Sequence, residues 1–172
     1  MKKILTKYGA LALAVALMVP LAQAQSPGMQ TAFGKDAGTL SDKFSGLVHV
    51  MVGKYDWKPG QGVRSVGDVF NLIVMENGML AGVLSGTPNT GAQPAPITDP
   101  GKLQEALKAS YANLQKAITG LSDKDLQTRV KLFGEDMTKQ DALTLILEDQ
   151  HEHLGQSIAY ARTNGVVPPW SK

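Results

Sequence analysis

The chain contains three histidines, His49, His151 and His153, and no cysteine. The lack of cysteine removes disulfides, thiolate metal ligands and a thiol nucleophile together. Any site chemistry therefore rests on carboxylates, imidazoles and water. Two of the histidines lie in Leu147-Glu148-Asp149-Gln150-His151-Glu152-His153-Leu154-Gly155-Gln156. On a helix, Asp149 and His153 stand one turn apart and share a face. That face continues through Ala142, Ile146 and Tyr160, so both polar groups turn toward an apolar interior. A carboxylate and an imidazole placed in this way offer lone pairs to one point and can hold a divalent cation. They can equally satisfy each other in a buried Asp–His hydrogen bond that needs no metal. His151 lies about 160° further around the helix, on another face.

Other residues carry less. His49 sits among apolar neighbours and reads as a packed or rim histidine. Arg64 suits an acid partner, a helix cap or a substrate anion, and Trp57 and Trp170 suit the ends of a core. The zincin spacing His-Glu-x-x-His is absent, and no Ser/His/Asp order, phosphate-cradling glycine loop or dinucleotide fingerprint stands out.

The elements that must position Asp149 and His153 are helices. Leu40, Phe44, Leu47, Val48, Met51 and Val52 recur at three and four, which predicts a first helix from Thr39, with Ser41 as its N-cap, to near Tyr55. Asp56 to Gly62 is a turn. Ser65-Val66-Gly67-Asp68 has capping-box spacing and opens a second helix, whose inner stripe is Val69, Leu72, Ile73, Glu76, Leu80 and Val83, ending near Leu84. The proline-rich stretch from Ser85 to Pro100 is a loop. Leu103, Leu107, Tyr111, Leu114 and Ile118 trace a third helix that Gly120 stops. Leu121 to Glu135 reads as a connector, with Val130 to Phe133 short and extended. Thr138-x-x-Asp141 opens the last helix, which runs to Asn164-Gly165 and gives way to an extended tail, Val166 to Trp170. Four amphipathic helices without a convincing set of strands make an all-α four-helix bundle.

The N-terminus is of another kind. Lys2, Lys3 and Lys7 precede an apolar run from Ala10 to Leu21, followed by Ala22-Gln23-Ala24. This is the pattern of a cleavable signal peptide, residues 1–24. The run falls short of the roughly 20 residues that cross a bilayer, so the mature chain is expected to be periplasmic or secreted, with no membrane attachment. Residues 25–38 read as a flexible lead-in and 39–172 as the bundle domain. Cleavage takes 17 basic residues to 14 against 15 acidic ones. No mature basic cluster can then neutralise several phosphates, which excludes nucleic acid as a partner. A homodimer through an exposed apolar face and an unidentified small-molecule ligand stay open.

The run from His151-Glu152-His153-Leu154-Gly155-Gln156 to Val166-Val167-Pro168-Pro169-Trp170 resembles the C-terminal signature of the exported DinB/YfiT-like family. Tyr55-Asp56-Trp57-Lys58-Pro59-Gly60-Gln61-Gly62-Val63-Arg64-Ser65 into Phe70 is similar to that family's passage from first to second helix. Val130-Lys131-Leu132-Phe133-Gly134 with Met137-Thr138 resembles the stretch before its last helix, which extends the likeness from about Phe44 to Trp170. The resemblance implies a DinB/YfiT-like four-helix bundle and a divalent metal held by three histidines, one on the second helix and two on the last. In this chain the last ligand falls on His153, the one a turn earlier on Asp149, and the second-helix ligand on Leu72, which cannot coordinate.

One ligand is thus kept, one exchanged and one lost. Glu76, one turn beyond Leu72, could complete a two-carboxylate, one-histidine set of the kind zinc, nickel, manganese or iron accepts, or it could be an ordinary buried acid paired with His153 or Arg64. The expectation is a binding or stress-associated protein without catalysis, its metal weakly held or absent. The alternative is a metal-dependent hydrolase or transferase using Glu76, Asp149 and His153, with Glu76 or Glu152 as base. Transferase relatives use cytoplasmic thiols, which fits an exported chain poorly.

Overall fold

Small residues decide where the first helix begins. The fold, a computed structural model, describes residues 28–87 and 94–171. The expected signal peptide lies outside the described residues. Helix α1 spans Met29–Val50, so most of the segment expected as a flexible lead-in is helical. Gly34 and Ala37 are buried on its inner face, and a Cβ at Gly34 would meet Thr119 Cγ2 at 3.4 Å. The Gln115 amide donates to Gly34 O across this close approach. Glycine and alanine let the two backbones come near without adding to a hydropathy stripe. Ser41, expected as the N-cap, consequently falls in the middle of α1, and the helix ends at Val50, short of Tyr55.

Helix α2 spans Val66–Ser85, with Ser65 and Asp68 closing a reciprocal capping box and Gly86 ending it at φ 74°. Helix α3 spans Pro100–Thr119 behind an Asp99 cap, and a single turn, α4, covers Asp123–Leu126. The connector after α4 is a β-hairpin, where the sequence suggested only one short extended stretch. Strand β1, Arg129–Leu132, pairs antiparallel with β2, Glu135–Thr138. Its two-residue turn is Phe133-Gly134, both at positive φ (52° and 87°), the geometry whose twist matches the flanking strands. Four-residue strands with one buried position carry too little alternation to be read from sequence. Helix α5 spans Lys139–Thr163 and starts on a second capping box, Thr138 with Asp141.

The four long helices pack so that α1 and α2 each lie against both α3 and α5. One core fills the space between them. Leu40, Phe44 and Leu47 of α1, Val69, Phe70 and Ile73 of α2, Leu107 and Tyr111 of α3 and Ile146 of the last helix all belong to it. Phe44 contacts Phe70 edge-on and stacks on Tyr111, each at 6.4 Å between centroids. Burying side chains of this size stabilises by about 1.5–3 kcal/mol each, so the core holds α2 and α5 side by side. Trp57 packs edge-on against Tyr160 at 5.2 Å. Trp170 lies beside Gly46 with Lys43 Nζ 5.8 Å from its ring, which fastens the C-terminal tail to α1.

Candidate metal centre

Glu76 comes from the middle of α2, and Asp149 and His153 come from the middle of α5. One ligand atom from each lies within 4.8 Å of the other two, so Glu76 does stand beside the Asp149–His153 pair. Glu76 is 5 % exposed. The His153 side chain is 14 % exposed and that of Asp149 42 %, with His153 Nε2 3.5 Å from Asp149 Oδ2. The group is thus closed on the α2 side and open to solvent on the Asp149 side.

The hydrogen bonds around His153 set its tautomer. Gln156 turns its amide NH₂ to Tyr160 OH at 2.8 Å, leaving Oε1 facing His153 Nδ1 at 2.9 Å. An amide oxygen only accepts, so Nδ1 carries the proton and, in the neutral ring, Nε2 presents its lone pair to the Asp149 carboxylate. Glu76 Oε2, buried beside them, has no hydrogen-bond partner. Two lone-pair bearers facing each other next to an orphaned carboxylate oxygen lack only a positive centre, and a proton or a cation can supply it. Burial first, then hydrogen bonding and repulsion from the Asp149 carboxylate, push the Glu76 carboxyl up to about 8, with Gln150 and the Arg64 charge pulling the other way. Without metal, Glu76 therefore holds a proton at neutral pH. The donor set fits a divalent cation of intermediate hardness, with two carboxylate oxygens and one imidazole nitrogen.

A second set of residues, which sequence reasoning missed, aligns the helices that carry the first. Tyr111 OH donates to Gln150 Oε1 at 2.9 Å. Gln150 Nε2 donates to Asn77 Oδ1 at 2.9 Å and Asn77 Nδ2 to Ser110 Oγ at 3.0 Å. Ser110 Oγ–H donates to Leu107 O at 2.8 Å. Asn77 and Gln150 are fully buried and each directly follows a residue of the metal group. The available signal was a polar side chain on an otherwise apolar stripe, Asn77 between Ile73 and Leu80 and Gln150 between Leu147 and Leu154. Lys139 Nζ adds a clamp on Leu84 O at 2.6 Å, where the end of α2 meets the start of α5.

The remaining candidates stand apart. His151 is exposed and pairs with Asp36 on α1 at 3.0 Å. His49 and Glu152 are exposed and do not belong to the group. Leu72 is half-buried on α2, one turn before Glu76. Arg64 is exposed and, with Gly62, Val63, Asp68, His153 and Gln156, lines an open cleft of about 570 Å³.

Residues 44–157 match a sequence family described as the DinB superfamily. Among solved structures, the chain is similar to a DinB-like protein from Bacillus cereus ATCC 10987, at 18 % identity and a TM-score of 0.69, over 83 % of this chain and 97 % of that one. It is also similar to the DinB-like protein YjoA from Bacillus subtilis, at 18 % identity and a TM-score of 0.63, over 78 % and 92 % of the two chains. These likenesses bear on the fold. No curated protein matches the sequence.

Proposed function

The chain belongs to the DinB superfamily, and from that membership we propose that it is a metal-binding helical protein holding one divalent cation between Glu76, Asp149 and His153. The observation that carries this reading is Glu76 Oε2, a buried carboxylate oxygen without a hydrogen-bond partner beside an imidazole nitrogen and a second carboxylate. An ionised oxygen left unsatisfied there is costly; a proton relieves it in the metal-free protein, and a cation would do so together with its two neighbours. Glu76 thereby compensates for Leu72 from one turn further along α2. A bound divalent ion would supply Lewis acidity and a water of lowered pKa. The protein's own part is to orient His153 through Gln156, to hold Glu76 dry, and to leave Asp149 reachable from solvent.

The reading stops at binding. Asp68, the carboxylate that lines the cleft beside His153, accepts the Ser65 N–H at 2.9 Å and is tied up in the capping box of α2. Metal-dependent hydrolysis is the second reading, favoured by the exposure of Asp149, which leaves the group open to water. We also place the mature protein outside the cytoplasm, on the strength of Lys2, Lys3, the Ala10 to Leu21 run and Ala22-Gln23-Ala24.

The test is calorimetric titration of chelator-stripped protein with zinc, nickel, manganese and ferrous iron. One equivalent should bind, and Asp149→Ala and His153→Ala should each abolish it. Absence of both heat and a melting shift with all four metals would overturn the proposal. If metal does bind, turnover of ester or phosphoester substrates lost in Asp149→Ala would move the assignment to the hydrolase.

A further inference from the structure

The cleft beside His153 is open to solvent, largely polar in its lining and of small-molecule size. Its volume, about 570 Å³, lies within the roughly 300–1,000 Å³ usual for ligand pockets. His153 is shared. Its Nε2 faces the carboxylates, and the residue also lines the cleft. Arg64 is the one cation in the lining, and among the described residues its guanidinium has neither an ion pair nor a hydrogen bond. The backbone beneath it is fixed, because Tyr160 OH donates to Arg64 O at 3.2 Å and Ser65 caps α2 immediately after it. A planar fork of donors on a fixed base beside an open cleft suits an oxyanion held by two parallel hydrogen bonds. Asp68 opposes this with one negative charge, but its Oδ2 is already engaged by Ser65 N–H. Val63, half exposed in the same wall, offers apolar surface to a short hydrocarbon body.

We propose that this cleft binds a small organic anion, a carboxylate or phosphate ester, whose acid group pairs with Arg64 while the molecule lies against His153. Recognition by Arg64 requires no metal. Only the ligand's approach to the cation beyond His153 rests on the site proposed above.

The experiment titrates succinate, phenyl phosphate and the neutral control acetamide into zinc-treated and chelator-treated protein, followed by NMR shifts of the Gly62, Arg64 and Gln156 amides. At least one anion should bind, acetamide should not, and the stronger of the two anions identifies the acid group. Arg64→Met should weaken that anion about tenfold or more in the metal-free protein, the loss of a charged hydrogen-bonded pair, and be partly rescued by Arg64→Lys. Equal affinity in wild type and Arg64→Met, or no binding of either anion, would overturn the inference. If zinc itself fails to bind, the Arg64 dependence in metal-free protein decides this inference alone, while the metal proposal is decided by the four-metal titration.

Discussion

Asn77 and Gln150 are joined by a 2.9 Å hydrogen bond in the fully buried centre of the protein, and the residue before each is a carboxylate of the metal group. The pairing sets the axial register of α2 against α5, and with it the distance between Glu76 and Asp149. Gln150→Leu should strand Tyr111 OH and Asn77 Oδ1, lower stability by about 1–3 kcal/mol and weaken metal binding as well. Denaturant unfolding and zinc titration check both effects. Loss of stability with unchanged zinc affinity would reduce Gln150 to a packing role.

A second prediction concerns pH in the absence of metal. The Glu76 carboxyl is raised from an ordinary value near 4.5 to about 8, mainly by burial and then by Asp149. Between those limits the unfolded chain gives up a proton that the folded protein keeps, so stability must fall as pH rises through the window and level off above it. Glu76→Gln removes this dependence. Chelator-treated wild type and Glu76→Gln should have similar stabilities near pH 4.5, and the mutant should gain an increasing advantage toward pH 8. A constant difference across that range would show that Glu76 is ionised in the fold.

Metal binding should run the opposite way. A cation can use Glu76 only after displacing its proton, so affinity should climb with pH up to about 8 and close to one proton should leave per ion at pH 7. Calorimetry in buffers of different ionisation enthalpy counts that proton. At metal concentrations a hundredfold above Kd the fold should gain about 2.7 kcal/mol, seen as a higher melting temperature that Glu76→Gln does not share.

At the hairpin tip, Phe133 holds a left-handed backbone, φ 52°, while its ring is 67 % exposed. Left-handed backbone costs a non-glycine residue roughly 1–2 kcal/mol, and little burial offsets it here. Phe133→Asn should therefore raise stability, by up to about 1 kcal/mol, with the Phe133-Gly134 turn becoming a favoured Asn-Gly turn. An unchanged or lower unfolding midpoint would mean that the ring contributes packing beyond what its exposure suggests.

Much of this arrangement was legible in the residues. The stripes through Val69, Ile73, Leu80 and through Leu103, Leu107, Tyr111 gave α2 and α3, and Ser65/Asp68 and Thr138/Asp141 marked the starts of α2 and α5. Helical spacing put Asp149 and His153 on one face of α5, and Glu76 came into view only through the family resemblance, one turn beyond Leu72. What failed to show depended on backbone proximity or on partners distant in sequence. The start of α1 rests on Gly34 and Ala37 packing closely, the hairpin on hydrogen bonds between two four-residue strands, and the Asn77–Gln150 link on polar groups that look like surface until a partner 73 positions away faces them. The family resemblance pointed to Leu72, and the fold instead brings Glu76, one turn further along α2, beside Asp149 and His153.

Thr138 is both the last residue of β2 and the N-cap of α5, so no slack separates hairpin from helix. The hairpin acts as an index stop, fixing the angle at which the final helix is wound. A residue added at the Phe133-Gly134 tip can bulge outward harmlessly. One added between Lys139 and Glu148 has nowhere to go and would swing Asp149 and His153 by about 100°, turning the whole centre off as a key turns a lock.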